Sequence, residues 1–214
     1  MTNIENLLLA GIDTGINFSL GFVVFEVFVN LNEIKLLDVF SKFSRKETLK
    51  PSESRVFLDT LLKKNCLKFI PYHWSLHHFN PQERGKVADY MVKIIKRCEK
   101  LSTKKVNVFI EDFLFFSKTS FKKASWFTVT KIQNAIGFLT GYFYAKKIKT
   151  KLIPPRTWKS IVDTNYIDVS SYLFPSAFKK KKQESHILSA VGIALSNIPD
   201  LILTSLSENF NKKK

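Results

Sequence analysis

The chain has 214 residues, 45% hydrophobic and 14% aromatic, with 34 Lys+Arg against 18 Asp+Glu for a net charge of +16. That length suits one domain, or one with an insertion, and the apolar fraction suffices for a packed core, which excludes a wholly disordered chain. There is no apolar run near the ~20 residues of a membrane span, no signal-peptide pattern at the N-terminus, and no CxxC pair between Cys66 and Cys98, so the expectation is an intracellular, membrane-free, basic protein whose partner is a polyanion.

Residues 7–12 form a short apolar run ended by Asp13-Thr14-Gly15, and residues 18–29 are rich in Phe and Val. With residues 34–43 as a third apolar segment and Gly15 and Asn30-Leu31-Asn32 as turns, the opening reads as a three-stranded meander. Pro51-Ser52-Glu53 marks a helix start, with Val56, Phe57, Leu61 and Leu62 at helical spacing. Residues 66–79 show no period and read as irregular, which makes 44–79 an insertion. A helix follows from Asn80-Pro81, its apolar stripe running through Val87, Met91, Ile94, Ile95, Cys98 and Leu101. Residues 106–111 are a strand ending in Glu111-Asp112, then comes a basic, aromatic loop, and a helix spans about 127–145. Residues 151–153 are a short strand, Pro154-Pro155-Arg156 opens a short helix through 162, a lysine-rich loop follows, and residues 184–196 form a last apolar helix. The whole is expected to be one α/β domain over residues 1–208, with a mixed five-stranded sheet, antiparallel then parallel, flanked by helices. Residues 209–214 are expected to be a frayed basic tail.

The charge is unevenly placed. Residues 1–100 hold 15 basic and 11 acidic residues, residues 101–183 hold 16 and 4, and residues 184–214 hold 3 and 3, so the middle segment carries +12 of the +16. The 29 Lys against 5 Arg are what an A/T-rich coding sequence produces. Such a bias does not concentrate the surplus, whereas contact with nucleic-acid phosphates does.

Asp13 and Glu111 each end a predicted strand. With period two, Asn107, Phe109 and Glu111 share a face and Asp112 points the other way. If the two strands are neighbours, the two carboxylates converge where a hard cation binds, since Mg²⁺ takes a few carboxylates together with waters and phosphate oxygens. Two such ions can clamp the attacking and leaving oxygens of a phosphodiester. Either acid alone reads as a solvated strand end.

Taken together, the motifs resemble the RuvC-like Holliday-junction resolvases of the RNase H fold. Asp13-Thr14-Gly15-Ile16-Asn17-Phe18 looks like their opening strand and turn, and Glu111 with its Phe-bearing loop and Gln133 to Gly137 resembles their second acidic site and helix. Pro155-Arg156-Thr157-Trp158-Lys159 is similar to the segment after the fifth strand, and His186 to Ala194 to the closing helix. The resemblance spans about residues 7–196. It implies a Mg²⁺- or Mn²⁺-dependent endonuclease that nicks branched DNA, a homodimer whose two-fold axis matches a four-way junction, metal ligands at Asp13 and Glu111, and His186 as ligand or general base. It also implies a last ligand carboxylate at the position of Ser189, one turn after His186. A hydroxyl is a poorer ligand there, which leaves three alternatives: Glu184 or water substitutes, the chain binds junctions with little or no cutting, or Ser189 is a substitution that makes the protein inactive. Lys159 is implied to approach the scissile phosphate.

The loop after Glu111 interleaves Phe113, Phe115, Phe116 and Phe121 with Lys118, Lys122 and Lys123, a pattern suited to stacking on bases and neutralising phosphates. The resemblance implies a wedge at the junction centre, Phe115 or Phe116. Lys180, Lys181 and Lys182 read as a phosphate-contacting stretch. His73, His77 and His78 lack nearby Cys or carboxylates and read as structural. With seven glycines and no Gly-Gly pair, an actin-type ATPase is excluded, and neither a Rossmann fingerprint nor a P-loop is present. Cleavage of RNA in hybrids stays open.

Overall fold

β1 (Ile4–Thr14) and β2 (Ser19–Asn30) pair antiparallel, from Ile4 opposite Asn30 to Thr14 opposite Leu20. The Gly15 amide donates to the Ser19 carbonyl at 2.8 Å where the chain turns. The computed structural model describes residues 4–15, 19–35, 42–43, 48–112, 126–179 and 184–211. Both strands are nearly continuous hydrophobic runs because both faces are covered. Leu7, Leu9, Val23 and Phe25 face one helical layer, and Leu8, Ala10, Phe22 and Val24 face the other.

The third strand is not where the apolar pattern suggested. Residues 31–35 instead form α1 (Leu31–Lys35), with Ile34 fully buried in the core, and residues 42–43 are helical. The supposedly irregular stretch is β3 (Leu67–His78), hydrogen-bonded antiparallel to β2 from Val29–Leu67 to Ser19–His78. Its period is obscured for two physical reasons. As an edge strand it is only half-buried on both faces, and the pairing shifts register between Val24 and Phe25, next to Pro71. A bulge moves side chains out of alternation, and a proline without an N–H is tolerated at an edge. The expected insertion therefore supplies a strand of the sheet. It also supplies α2 (Pro51–Lys63), whose Glu53 side chain accepts from the Lys50 amide at 3.0 Å.

α3 (Arg84–Ser102) crosses back to β4 (Val106–Glu111), which lies parallel to β1, and α4 (Trp126–Ala145) crosses to β5 (Thr150–Ile153), parallel to β4. The sheet order is β3-β2-β1-β4-β5. α3 and α4 cover one face with Met91, Ile95, Leu139 and Phe143. The other face is covered by α2, α5 (Pro155–Val162), α6 (Asn165–Leu173), α7 (Glu184–Leu195) and α8 (Ile198–Asn211). α6 and α8 were not anticipated, and the chain from residue 209 continues α8 as far as Asn211. The signal for α8 was available: Ile198, Ile202 and Leu206 recur at four-residue intervals, and all three are buried. An 18-residue window within residues 185–206 reaches a mean hydropathy of 1.6 and is 72% buried, and the segment folds as two successive helices under the sheet.

Candidate active site

β1 and β4 are parallel neighbours in register, with Ile12 opposite Ile110. The next residue on each strand is acidic, so Asp13 and Glu111 leave adjacent strand ends on the face covered by α7. Asp13 is 5% exposed and Glu111 half-buried. The two side chains lie close enough for Asp13 to act on Glu111. Burial pushes the Glu111 carboxyl up to about 8, and the hydrogen bond and charge of Asp13 push the same way. Trp158 and Lys159 oppose the shift. The Trp158 indole Nε1–H donates to Glu111 Oε1 at 3.1 Å.

α7 contributes the third group. His186 Nδ1 stands 2.6 Å from Asp13 Oδ2. That hydrogen bond, helped by the Asp13 charge and opposed by burial, raises the imidazole pKa above its ordinary value. A helix residue reaches a strand end this closely because the strands are bare beneath it. Gly21 is the cross-strand partner of Asp13, and a Cβ there would lie 2.4 Å from the His186 carbonyl oxygen. A Cβ on Gly11 would meet the Ala190 carbonyl oxygen at 1.8 Å, and one on Gly15 would meet His186 Cε1 at 2.1 Å. These glycines are needed for close approach rather than for backbone conformation, since none has positive φ.

Of the other expected site residues, Ser189 sits one turn beyond His186 on α7 and is half-buried. Lys159 is exposed on α5, its Nζ 5.1 Å from the Trp158 ring centroid. Glu184 is the first residue of α7. Its side chain lies outside the described residues, as do Phe115, Phe116, Lys118, Lys122, Lys123, Lys180, Lys181 and Lys182. His73 and His77 flank Tyr90 on the opposite face of the sheet, with ring centroids 5.7 and 5.1 Å away. His73 Nε2 lies 3.2 Å from the Tyr90 hydroxyl and His77 Nε2 2.8 Å from Ser75 Oγ, in keeping with a structural role. The partner of Glu111 that sequence reasoning passed over is Trp158, one position before Lys159 in a segment already singled out.

Asp13 and Glu111 are hard oxygen donors pressed together under an apolar layer, with Glu111 driven towards its protonated form. Such a pair fits one hard divalent cation completed by water and phosphate oxygens. The fit is that of a two-carboxylate site. His186 engages Asp13 through Nδ1, residue 189 offers only a hydroxyl, and among the described residues no group of three His, Cys, Asp or Glu side chains is disposed to hold a metal ion.

No protein-family profile and no curated protein matches the chain. Among solved structures it is similar to Thermus thermophilus RuvC in complex with Holliday junction substrate, at 15% identity and a TM-score of 0.53, over 92% of this chain and 96% of that one. A second Thermus thermophilus RuvC structure is similar at 15% identity and a TM-score of 0.52, over 92% of this chain and 97% of that one. At that identity the likeness shows the fold. It is the RuvC-like, RNase H-type arrangement of a mixed five-stranded sheet flanked by helices.

Proposed function

We propose that the chain is a metal-dependent endonuclease that resolves four-way DNA junctions by paired phosphodiester nicks. The observation that carries this reading is the convergence of Asp13, Glu111 and His186 at the ends of adjacent parallel strands, in a chain with RuvC-like topology. The excess of +12 over residues 101–183 supports a polyanionic substrate, because that segment contains Glu111 and Lys159.

Asp13 and Glu111 would hold Mg²⁺ or Mn²⁺, which when bound activates water and stabilises charge on the phosphate. Trp158 and the surrounding apolar side chains keep Glu111 oriented and partly dry. Asp13 favours the charged imidazole of His186, so His186 can hold a proton at the site and deliver it to the leaving oxygen. Lys159 adds positive charge at the rim, close enough to act on Glu111. Paired incision of a two-fold symmetric junction requires two such sites, so the active form is a homodimer. An exposed stripe on α4, which includes Gly137, Gly141 and the 83% exposed Tyr144, is available for that contact.

Ser189 favours a second reading in which the chain binds branched DNA and cuts it slowly or not at all. Cleavage of a mobile four-way junction in Mg²⁺ and in Mn²⁺ by native, Asp13→Asn and Ser189→Asp proteins separates the two. Nicking by the native chain that Asp13→Asn abolishes supports the nuclease. Tight junction binding without nicking, converted to nicking by Ser189→Asp, supports the second reading. Binding no tighter to junctions than to duplex of equal length would overturn both.

A further inference from the structure

We infer that Trp158 is a positioning residue for Glu111, acting through its indole N–H, with Gly192 keeping its seat. The inference deepens the proposed metal-dependent site and rests on that reading. Trp158 is 1% exposed on α5, and its Nε1–H donates to Glu111 Oε1 at 3.1 Å. Two contacts hold the ring. Tyr166 of α6 meets it edge-on at 5.8 Å and 87°, and a Cβ on Gly192 of α7 would lie 2.7 Å from its Cζ3. The ring therefore occupies space that any other residue at 192 would take. A buried ring with one polar atom presents a donor in a single direction, because it has no alternative rotamer to occupy without a clash.

The choice of donor has chemical consequences. A lysine or arginine in this place would form an ion pair with Glu111 and compete with a divalent cation for it. An indole N–H carries no net charge and satisfies only one carboxylate oxygen. That leaves the other oxygen without a bond to Trp158. Lys159 lies over the indole ring, its Nζ 5.1 Å from the centroid. Trp158 thus orients the carboxylate through one oxygen. Partners that orient a metal ligand in this way typically change metal affinity or activity by about 10–100-fold when removed.

Two variants test the N–H itself: Trp158→Phe, and replacement of Trp158 by β-(3-benzothienyl)alanine, which keeps the bicyclic shape and lacks the donor. Mn²⁺ affinity is measured by titration calorimetry, junction affinity by fluorescence anisotropy, and cleavage by single-turnover kinetics. The indole N–H resonance of Trp158 is assigned by its disappearance in Trp158→Phe. Expected are a tenfold or greater loss of Mn²⁺ affinity in both variants, unchanged junction affinity with a cleavage rate reduced at least tenfold, and a shift of the indole resonance in Glu111→Ala. Mn²⁺ affinity within twofold of native in the folded benzothienyl protein overturns the inference, whatever the resonance does. So does an indole resonance that Glu111→Ala leaves in place. Should the native chain cut no junction, the nuclease reading falls, while Mn²⁺ affinity and the indole resonance still decide the role of Trp158.

Discussion

Replacing Gly21 by alanine adds one methyl group beneath α7, at the position directly across the β1–β2 ladder from Asp13. That methyl would lie 2.4 Å from the His186 carbonyl oxygen, 2.6 Å from its carbon and 3.0 Å from its Cβ. Ordinary contact begins at 3.4 Å, so the helix backbone must withdraw by about 1 Å. The nearest obstructing atoms are backbone and cannot rotate aside. Overpacking of this kind costs about 1–3 kcal/mol, which in a chain of this size lowers Tm by roughly 2–4 °C per kcal/mol. On the proposed function, an effect of comparable size falls on the reaction rate. Withdrawal of α7 lengthens the 2.6 Å contact between His186 Nδ1 and Asp13 Oδ2 towards the limit of hydrogen bonding. A catalytic group misplaced by about 1 Å can cost on the order of 10²-fold in rate. Calorimetry gives the first quantity, single-turnover junction cleavage the second, and nitrogen NMR of the His186 ring reports the contact itself. A Gly21→Ala protein with native Tm and an unmoved His186 ring would refute the claim that α7 rests on bare backbone there.

Three further outcomes are expected. Because the Glu111 carboxyl is raised to about 8 before metal binds, a cation must displace its proton at neutral pH. Mn²⁺ affinity should therefore rise about tenfold per pH unit up to roughly 8 and then level off, and calorimetry on Glu111→Gln should lose that slope. Burial lowers the pKa of His73 and of His77 below the ordinary value, with neighbouring positive charge adding to the effect at His73. Their folded values lie below their unfolded ones, so the unfolded chain takes up protons first as pH falls below about 6.5, and stability declines in that window. The paired His73→Phe, His77→Phe variant should show a flatter pH dependence of urea unfolding between pH 7 and 5. The buried carboxylate of Glu26 accepts from the Tyr72 hydroxyl at 2.9 Å and from Ser102 Oγ at 2.7 Å. Tyr72→Phe leaves it with one partner fewer and should cost about 1–3 kcal/mol in denaturant unfolding, whereas unchanged stability would mean that water satisfies the carboxylate.

Much of the sheet was legible locally. Asp13 and Glu111 stand at strand ends because apolar runs stop there, and that punctuation lies in the sequence itself. The phase of β4, which puts Glu111 on the face opposite Asp112, follows from alternation alone. His186 was singled out only by the resemblance of residues 186–194 to the closing helix of the RuvC-like resolvases, since a lone histidine on an apolar helix carries no signal of its own. By contrast β3 was hidden, because an edge strand with a bulge and Pro71 lacks the burial contrast that creates a period. α1 was misread because Asn30-Leu31-Asn32 reads as a turn, and Ile34 with the apolar residues after it fits a strand as well as a short helix. Local preference was too weak to choose, and the end of the β1–β2 hairpin decided it.

The sequence by itself determined the parts of this protein that depend on short-range spacing: strand ends marked by acids, helices with an apolar stripe, and a positive charge gathered around residues 101–183. Tertiary structure alone decided which of those parts meet. Asp13 and Glu111 are ninety-eight residues apart and become neighbours only because β4 enters the sheet beside β1 rather than beside β3. Gly11, Gly21 and Gly192 carry no chemistry of their own, and their purpose appears only when α7 and Trp158 occupy the space that side chains would have filled. The physical reason is that close approach is a property of two surfaces. One chain segment can record that a side chain is missing, but not what comes to lie against the gap.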